Sequence, residues 1–266
     1  MTGRVADKVI VVTGGAKGIG RGCAEMLASE GARVVIGDID PEGGANVVRS
    51  IHESGGEASF KHTDVRNETE CADLIAHAVQ RFGQLNGLVS NAGWFPRGTL
   101  EDTTAELWDD VIAVNLRSAF FCCKHAVPHI RAAGGGSIVT MGSTSSIQGL
   151  PNLVAYAAAK GGLLNLTKTL AGAYAQDRIR VNHVIPGWIL TETEIALQTS
   201  RGLSADELSK AGEALPLGRH QTVEDVAYAV LFLCSNESSQ ITASTINVDA
   251  GVTAMPVFQG DSPYVG

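Results

Sequence analysis

A short apolar run that closes on glycines limits this chain more than any other feature. After Lys8, Val9-Ile10-Val11-Val12 is uninterrupted β-branched hydrocarbon, the pattern of a strand covered on both faces within a parallel sheet. Thr13-Gly14-Gly15-Ala16-Lys17-Gly18-Ile19-Gly20 comes next, followed by a helical pattern through Ala28. Glycines permit a tight turn and let backbone N–H groups come close to a phosphate, and a helix N-terminus adds partial positive charge. The spacing is Gly-x-x-x-Gly-x-Gly, not the commoner Gly-x-Gly-x-x-Gly. Read alone, the loop also fits a plain strand-to-helix turn.

The same rhythm continues. Arg33-Val34-Val35-Ile36-Gly37-Asp38 reads as the second strand, and Asp38 stands 18 residues after Gly20, near the ~20 expected of an acid that holds a ribose. A carboxylate there accepts hydrogen bonds from the 2′- and 3′-hydroxyls and repels a 2′-phosphate, which favours NAD over NADP. Lys17 pulls the other way, but a loop lysine can swing into water, whereas a carboxylate facing a phosphate dianion is directly repulsive. An aspartate capping the next helix would look the same. Residues 58–63 give a third strand ending at Asp64-Val65, where Asp64 fits either an adenine contact or a cap for the helix over 67–83. The fourth strand lies within 84–90, and Asn91-Ala92-Gly93 closes it with residues small enough for a cofactor to pass close to backbone.

Residues 104–131 predict one long helix with Asn115 inside its apolar pattern. A buried amide is costly unless paired, and a local bond to a carbonyl would satisfy it. Gly134-Gly135-Gly136 leads into a fifth strand over 137–141, and Gly142-Ser143-Thr144-Ser145-Ser146 follows it, a hydroxyl run that also suits loop and cap chemistry. A helix over 152–176, a strand over 180–185 closed by Pro186-Gly187, a helix over 222–234 and a last strand over 244–248 complete the series. Strands alternating with helices throughout predict one α/β domain over residues 1–266, a doubly wound parallel sheet of seven strands with helices on both faces. Residues 188–217 fall outside the rhythm and read as a less regular substrate loop or lid, and 249–266 as a tail with little pattern.

Composition narrows the partners. The 266 residues are 44% hydrophobic and 18% charged, ordinary for a globular chain with a sizeable core. A net charge of −8 argues against nucleic acid and against an anionic membrane surface. No stretch reaches the ~20 apolar residues of a spanning helix, and Met1-Thr2-Gly3-Arg4-Val5-Ala6-Asp7 holds no apolar signal core. Cys23, Cys71, Cys122, Cys123 and Cys234 form no C-x-x-C pair and fall mostly in apolar helix patterns. They read as free packing thiols of a cytoplasmic protein, and no metal site is expected.

Tyr156-Ala157-Ala158-Ala159-Lys160 adds chemistry. At ~3.6 residues per turn, side chains at i and i+4 share one helix face, so a phenol and an ammonium stand side by side. The cation favours the phenolate and lowers the tyrosine pKa, which makes Tyr156 a candidate general acid/base. A half-buried tyrosine beside a solvated lysine is the bland alternative.

In order and separation, Thr13-Gly14-Gly15-Ala16-Lys17-Gly18-Ile19-Gly20, Asp64-Val65, Asn91-Ala92-Gly93, Asn115, Ser143, Tyr156-x-x-x-Lys160 and Pro186-Gly187 resemble the short-chain dehydrogenase/reductase family across roughly residues 6–252. The resemblance implies a Rossmann-type fold and a Ser143–Tyr156–Lys160–Asn115 catalytic set. Tyr156 would exchange the alcohol proton, and Lys160 would lower its pKa and bond the nicotinamide ribose. Ser143 would orient the substrate oxygen, and Asn115 would hold a relay water. Gly14, Gly18 and Gly20 would receive a pyrophosphate, Asp38 the adenosine ribose and Thr191 the carboxamide. Lys17, Ile19, Asp64, Val65, Asn91, Ala92, Gly93, Pro186, Gly187 and Ile189 would line the same NAD groove. Two departures stand out: Ser90 replaces a second asparagine, and Asp249-Ala250-Gly251 lacks a second glycine common in relatives.

The expected activity is NAD-dependent oxidoreduction of a secondary alcohol or ketone. Substrate contacts are expected from Ser143, Tyr156, Trp94, Gln148 and Trp188, with Phe95, Arg97, Asn152 and Glu192 nearby. Aromatic walls with polar groups suit a sugar or polyol. Arg97 suits equally a carboxylate or sulfonate. A 3-oxoacyl-thioester reductase or another reductase of hydrophobic ketones is the rival enzyme, and a non-catalytic NAD-binding sensor the rival class. The resemblance also implies a homotetramer built through the helices over 104–131 and 152–176.

Overall fold

Consecutive residues of the first strand point into two different cores, which is why that strand has no polar face. The computed structural model describes residues 3–254, so most of the expected tail lies outside the described residues. The strands are β1 (Val9–Thr13), β2 (Arg33–Asp38), β3 (Glu57–His62), β4 (Gly87–Ser90), β5 (Gly136–Met141), β6 (Ile179–Pro186) and β7 (Thr245–Val248). They form a seven-stranded sheet ordered β3-β2-β1-β4-β5-β6-β7, with every neighbouring pair parallel. The helices are α1 (Gly18–Ser29), α2 (Pro41–Glu53), α3 (Glu68–Phe82), α4 (Ala105–Ile112), α5 (Ser118–Ala132), α6 (Val154–Tyr174), α7 (Glu192–Ser200), α8 (Ala205–Glu213) and α9 (Val223–Cys234).

Ile10 and Val12 of β1 pack with Cys23, Leu27 of α1 and Val226, Leu231 of α9 on one face. Val9 and Val11 pack with Leu74, Ile75 of α3 and Cys122, Ile130 of α5 on the other. The period-2 alternation continues in β2, where Val34 and Ile36 join the first core and Val35 the second. Each side chain buried this completely contributes roughly 1.5–3 kcal/mol. All five cysteines are buried and free, as the sequence suggested.

Two expectations change. The helix over 104–131 is broken by a wider π turn at Ala113–Arg117. Asn115 sits in that turn, and its Nδ2 donates to the Val111 carbonyl at 2.9 Å, the acceptor an α-helix gives to the backbone N–H four residues on. Residues 188–217 are also more regular than expected, since they contain α7 and α8. Thr191 caps α7, its hydroxyl accepting from Glu194 N at 3.2 Å, and Ser204 caps α8 in a reciprocal box with Glu207.

The strand order reverses direction between β1 and β4, and a crevice opens at their carboxyl ends. Thr13, fully buried, stitches that point together. Its hydroxyl accepts the backbone N–H groups of Asn91 at 3.0 Å and Ala92 at 3.1 Å. Thr13→Val keeps the shape and strands both donors, each worth about 1–3 kcal/mol. Urea unfolding is expected to show a loss of about 2–4 kcal/mol. A variant as stable as the parent would mean that the two N–H groups find other partners.

Candidate active site

The floor of the crevice is the loop after β1. Gly14 and Gly18 hold φ values of +65° and +53°, which side-chain-bearing residues rarely adopt. Gly20 is required for space instead: a Cβ there would lie 2.0 Å from the Gly14 carbonyl oxygen. Asn91 supports the loop from below, its Nδ2 donating to the carbonyls of Thr13 and Gly14, both at 3.0 Å. At the N-terminus of α1, Lys17 supplies no side-chain cap and the first turn carries no acid. The free N–H groups and the helix dipole therefore meet a cradle kept open by glycines, which fits a dinucleotide pyrophosphate. Thr191 stands over this cradle, with its Cγ2 3.2 Å from where a Gly18 Cβ would be. Pro186 and Gly187 end β6, and Ile189 is buried beside them.

Asp38 closes β2 with its carboxylate nearly buried. Oδ2 accepts from Ala16 N at 2.9 Å and Oδ1 from Asp40 N at 3.0 Å. These bonds fix the carboxylate beside the glycine loop while leaving acceptor capacity for two hydroxyls. The helix cap in this stretch is Asp40, which accepts from Gly43 N at 2.9 Å. Asp64, expected as an adenine contact or a helix cap, does not cap α3, whose cap is Asn67. Its carboxylate takes a bidentate pair from Arg66, with Nη2 at 2.7 Å and Nε at 3.0 Å, and Arg66 lowers its pKa from the ordinary value. Val65 behind it is buried.

Ser143, Tyr156 and Lys160 meet at the carboxyl end of β5. The Ser143 hydroxyl neighbours the Tyr156 phenol, where it favours the ionised form, and it accepts from Ser145 N at 3.2 Å. Lys160 is fully buried, lies 5.5 Å from the centre of the Tyr156 ring and donates to the Met141 carbonyl at 2.8 Å. The cation is therefore anchored to the end of β5 while its stem passes the phenol ring.

The electrostatics of the protein alone differ from the sequence expectation. Tyr156 is half-buried. The surrounding protein pushes the phenol up to about 12, offset only in part by the neighbouring Ser143 hydroxyl. Burial also lowers Lys160 to about 8. Desolvation disfavours the charged form of each.

Asn115 does not offer a free amide to water. Its Nδ2 donates to the Trp94 carbonyl at 2.7 Å, in addition to Val111, and its Oδ1 accepts from Trp94 N at 3.1 Å. The local-bond alternative thus holds for the side chain, which clamps the loop after β4. Asn115 Oδ1 and Lys160 Nζ both border Gly93, at 3.1 and 3.6 Å from the place of a Cβ there.

Behind Ser143 runs a polar chain that sequence reasoning missed. Thr167 Oγ1 lies 2.7 Å from Thr140 Oγ1, which lies 2.7 Å from His183 Nδ1. His183 Nε2 lies 3.4 Å from Ser146 Oγ, which accepts from Ser143 N at 3.2 Å. Burial and the Lys160 and Lys168 charges lower His183 to about 3, so it stays neutral and relays hydrogen bonds. A histidine inside the buried run of β6 was the available signal.

The aromatic residues divide. Trp94 and Phe95 are exposed at the cleft, and Phe95 meets Tyr156 edge-on at 6.0 Å. Gln148 is half-buried on the turn after Ser146. Trp188, expected against substrate, has its indole N–H tied into the roof. Its Nε1 donates to Glu194 Oε1 at 2.9 Å, Gln198 Nε2 donates to the same oxygen at 2.6 Å, and His220 packs edge-on at 4.7 Å. A concavity of ≈ 500 Å³ between α7, α8 and residues 218–220 includes none of Ser143, Tyr156 or Lys160. It belongs to the roof and not to the candidate chemistry.

Residues 14–253 match a family model described as enoyl-(acyl carrier protein) reductase, a group within the short-chain dehydrogenases/reductases. The chain belongs to the short-chain dehydrogenase/reductase family. It is 40% identical to cis-4-hydroxycyclohexanecarboxylate dehydrogenase of Sinomonas cyclohexanicum, covering 94% of this chain and 98% of the relative. It is 37% identical to a probable galactose dehydrogenase of Rhizobium meliloti, covering 92% and 95%. A solved 7α-hydroxysteroid dehydrogenase, complexed with NADH and 7-oxo glycochenodeoxycholic acid, superposes with a TM-score of 0.87 at 29% identity, covering 93% of this chain and 95% of that one. The short-chain dehydrogenase/reductase scaffold accounts for the Rossmann-type sheet, and the chain is an oxidoreductase acting on secondary alcohols.

The opposed shifts of Tyr156 and Lys160 give a pH expectation. Tyr156 is protonated in the protein alone until pH approaches about 12, while Lys160 loses its charge above about 8. An ultraviolet titration of wild type minus Tyr156→Phe is expected to show no phenolate at pH 10 without cofactor. With NAD bound, the midpoint is expected to fall below tyrosine's usual ~10. A midpoint unmoved by NAD would break the link between the phenol and the cofactor site.

Proposed function

We propose that this protein is a cytoplasmic NAD-dependent dehydrogenase of secondary alcohols, working on a sugar, a polyol or a related ring-borne carbinol. The observation that carries the reading is the Ser143 hydroxyl beside the Tyr156 phenol, with the buried Lys160 5.5 Å from the centre of its ring. The glycine cradle and the fixed Asp38 carboxylate fit NAD, with Asp38 toward the adenosine ribose and disfavouring a 2′-phosphate. A nicotinamide, when bound, supplies the hydride chemistry. Ser143 donates to the substrate oxygen and holds it toward Tyr156. Tyr156 takes the proton from that oxygen in alcohol oxidation and returns it in ketone reduction. Lys160 supplies positive charge that favours the phenolate, and with Asn115 it frames Gly93, where a proton path to solvent would begin. The ring carbinols in the names of the two dehydrogenase relatives support this substrate class.

A homotetramer fits the exposed Trp108 on α4 and Phe120 on α5, at 38% and 47% exposure. Light scattering reads it directly, and a stable monomer would exclude it. Among the described residues no helix is long and apolar enough to cross a membrane.

The deciding experiment follows reduced-cofactor absorbance with a panel of sugars, polyols, cyclic alcohols and acyl thioesters. Tyr156→Phe is expected to lower turnover about 100- to 10,000-fold. NAD is expected to exceed NADP in kcat/KM by about tenfold or more, equivalent to roughly 1.4 kcal/mol. Near-parental rates in Tyr156→Phe would end its assigned role, and activity confined to thioesters would replace the substrate class. Tight NAD binding without turnover would favour a sensor.

A further inference from the structure

Arg97 occupies an unusual position for a cation. It lies in the loop after β4, whose start is clamped by Asn115 through both backbone groups of Trp94. The next residue, Gly98, pairs with Leu153 and donates its N–H to the Asn152 carbonyl at 2.9 Å. Arg97 is thereby held against the first turn of α6, the helix that carries Tyr156, and two residues from Phe95, which touches the Tyr156 ring. Its Nε is buried and has no hydrogen-bond partner among the described residues. Its charged neighbours are Arg201 at the C-terminus of α7 and Glu194 within α7. Glu194 Oε1 already accepts from both Trp188 Nε1 and Gln198 Nε2.

An enclosed guanidinium N–H without an acceptor is costly. Here the Arg97 backbone lies in the loop that reaches the Tyr156 ring, a second cation is its neighbour, and Oε1 of the neighbouring Glu194 is already taken. We propose that Arg97, with Arg201 as a neighbouring cation, forms an anion subsite and that the substrate is a secondary alcohol bearing a carboxylate or sulfonate. The proposal rests on the dehydrogenase reading and deepens it. The planar fork of Arg97 matches two acid oxygens, and a small turn of the side chain would bring the unpartnered Nε to one of them. Anchoring the acid there sets the distance from the anion to the carbinol at Ser143 and Tyr156. A hydroxylated ring acid or a sugar acid meets both requirements, while an unsubstituted sugar leaves the Arg97 donor unanswered.

The test begins with binding, independent of turnover. Cyclohexanecarboxylate, cyclohexanesulfonate and cyclohexanecarboxamide are titrated calorimetrically into NAD-saturated protein, so that the glycine cradle is already filled. The carboxylate is expected to bind on the order of 10- to 100-fold more tightly than the isosteric amide. An equal gain with the sulfonate assigns the subsite to either acid, and a gain for carboxylate alone narrows it. Arg97→Gln is expected to remove the acid's advantage, Arg97→Lys to keep part of it as a point charge without the fork, and Arg201→Gln to cost a smaller factor. With 4-hydroxycyclohexanecarboxylate as substrate, the Arg97→Gln loss is expected in KM and not in kcat.

Equal binding of acid and amide by the parent, or discrimination retained in Arg97→Gln, overturns the subsite. If Arg97→Gln does not fold, the parent's acid-to-amide ratio and Arg97→Lys still decide it. Turnover of neutral cyclic alcohols without acid preference removes the subsite and leaves the dehydrogenase. Acid-selective binding with no turnover of any alcohol does the reverse.

Discussion

A parallel sheet covered on both faces has only its strand ends left for polar chemistry. In this chain the covering is complete around β1, where side chains alternate between two apolar cores. The carboxyl ends of β1, β2, β4, β5 and β6 then deliver Thr13, Asp38, Asn91, the turn at Ser143, and Pro186 to one crevice. The long helix α6 brings Tyr156 and Lys160 to the same edge. The candidate site is thus a product of topology before it is a product of any one residue.

Within the crevice, desolvation and charge work against each other. Lys160 and Tyr156 are both taken out of water, and each resists its ionised form. The lysine spends one donor on the Met141 carbonyl, which fixes its position relative to the phenol. The phenol leans on Ser143, and Ser143 leans through its backbone N–H on Ser146 and so on His183 and two threonines. Geometry in this network is set by neutral groups, while charge is left to the buried Lys160 beside the phenol.

Much of this was legible in the sequence for definite reasons. Apolar β-branched runs closing on glycine mark buried strands such as β1 and β2, while the half-exposed β3 and β7 follow from the alternation with helices, and the structure has all seven. The Gly-x-x-x-Gly-x-Gly spacing foretells a loop with two positive-φ positions and one without room for a side chain. The i, i+4 spacing of Tyr156 and Lys160 put them on one face. Other features depend on contacts that sequence order hides. The π turn at Asn115 arises because an amide competes with the helix backbone and reaches a loop 21 residues earlier. Asp64 is claimed by Arg66, and Trp188 by Glu194, pairings that proximity in space decides. The regularity of residues 188–217 was obscured because α7 and α8 are only nine residues each and their caps, Thr191 and Ser204, read as loop residues. The direction of the Tyr156 shift failed from sequence because helical spacing states which charge is near and is silent about how much water is excluded.

The support that Asn91 gives the glycine loop has a thermodynamic side. With its amide bonded to two successive loop carbonyls and Gly20 pressed against one of them, this segment has no alternative shape to abandon. Its freedom was surrendered when the chain folded. An incoming dinucleotide therefore meets a finished receptor, and little of its intrinsic attraction is consumed in organising the protein around it.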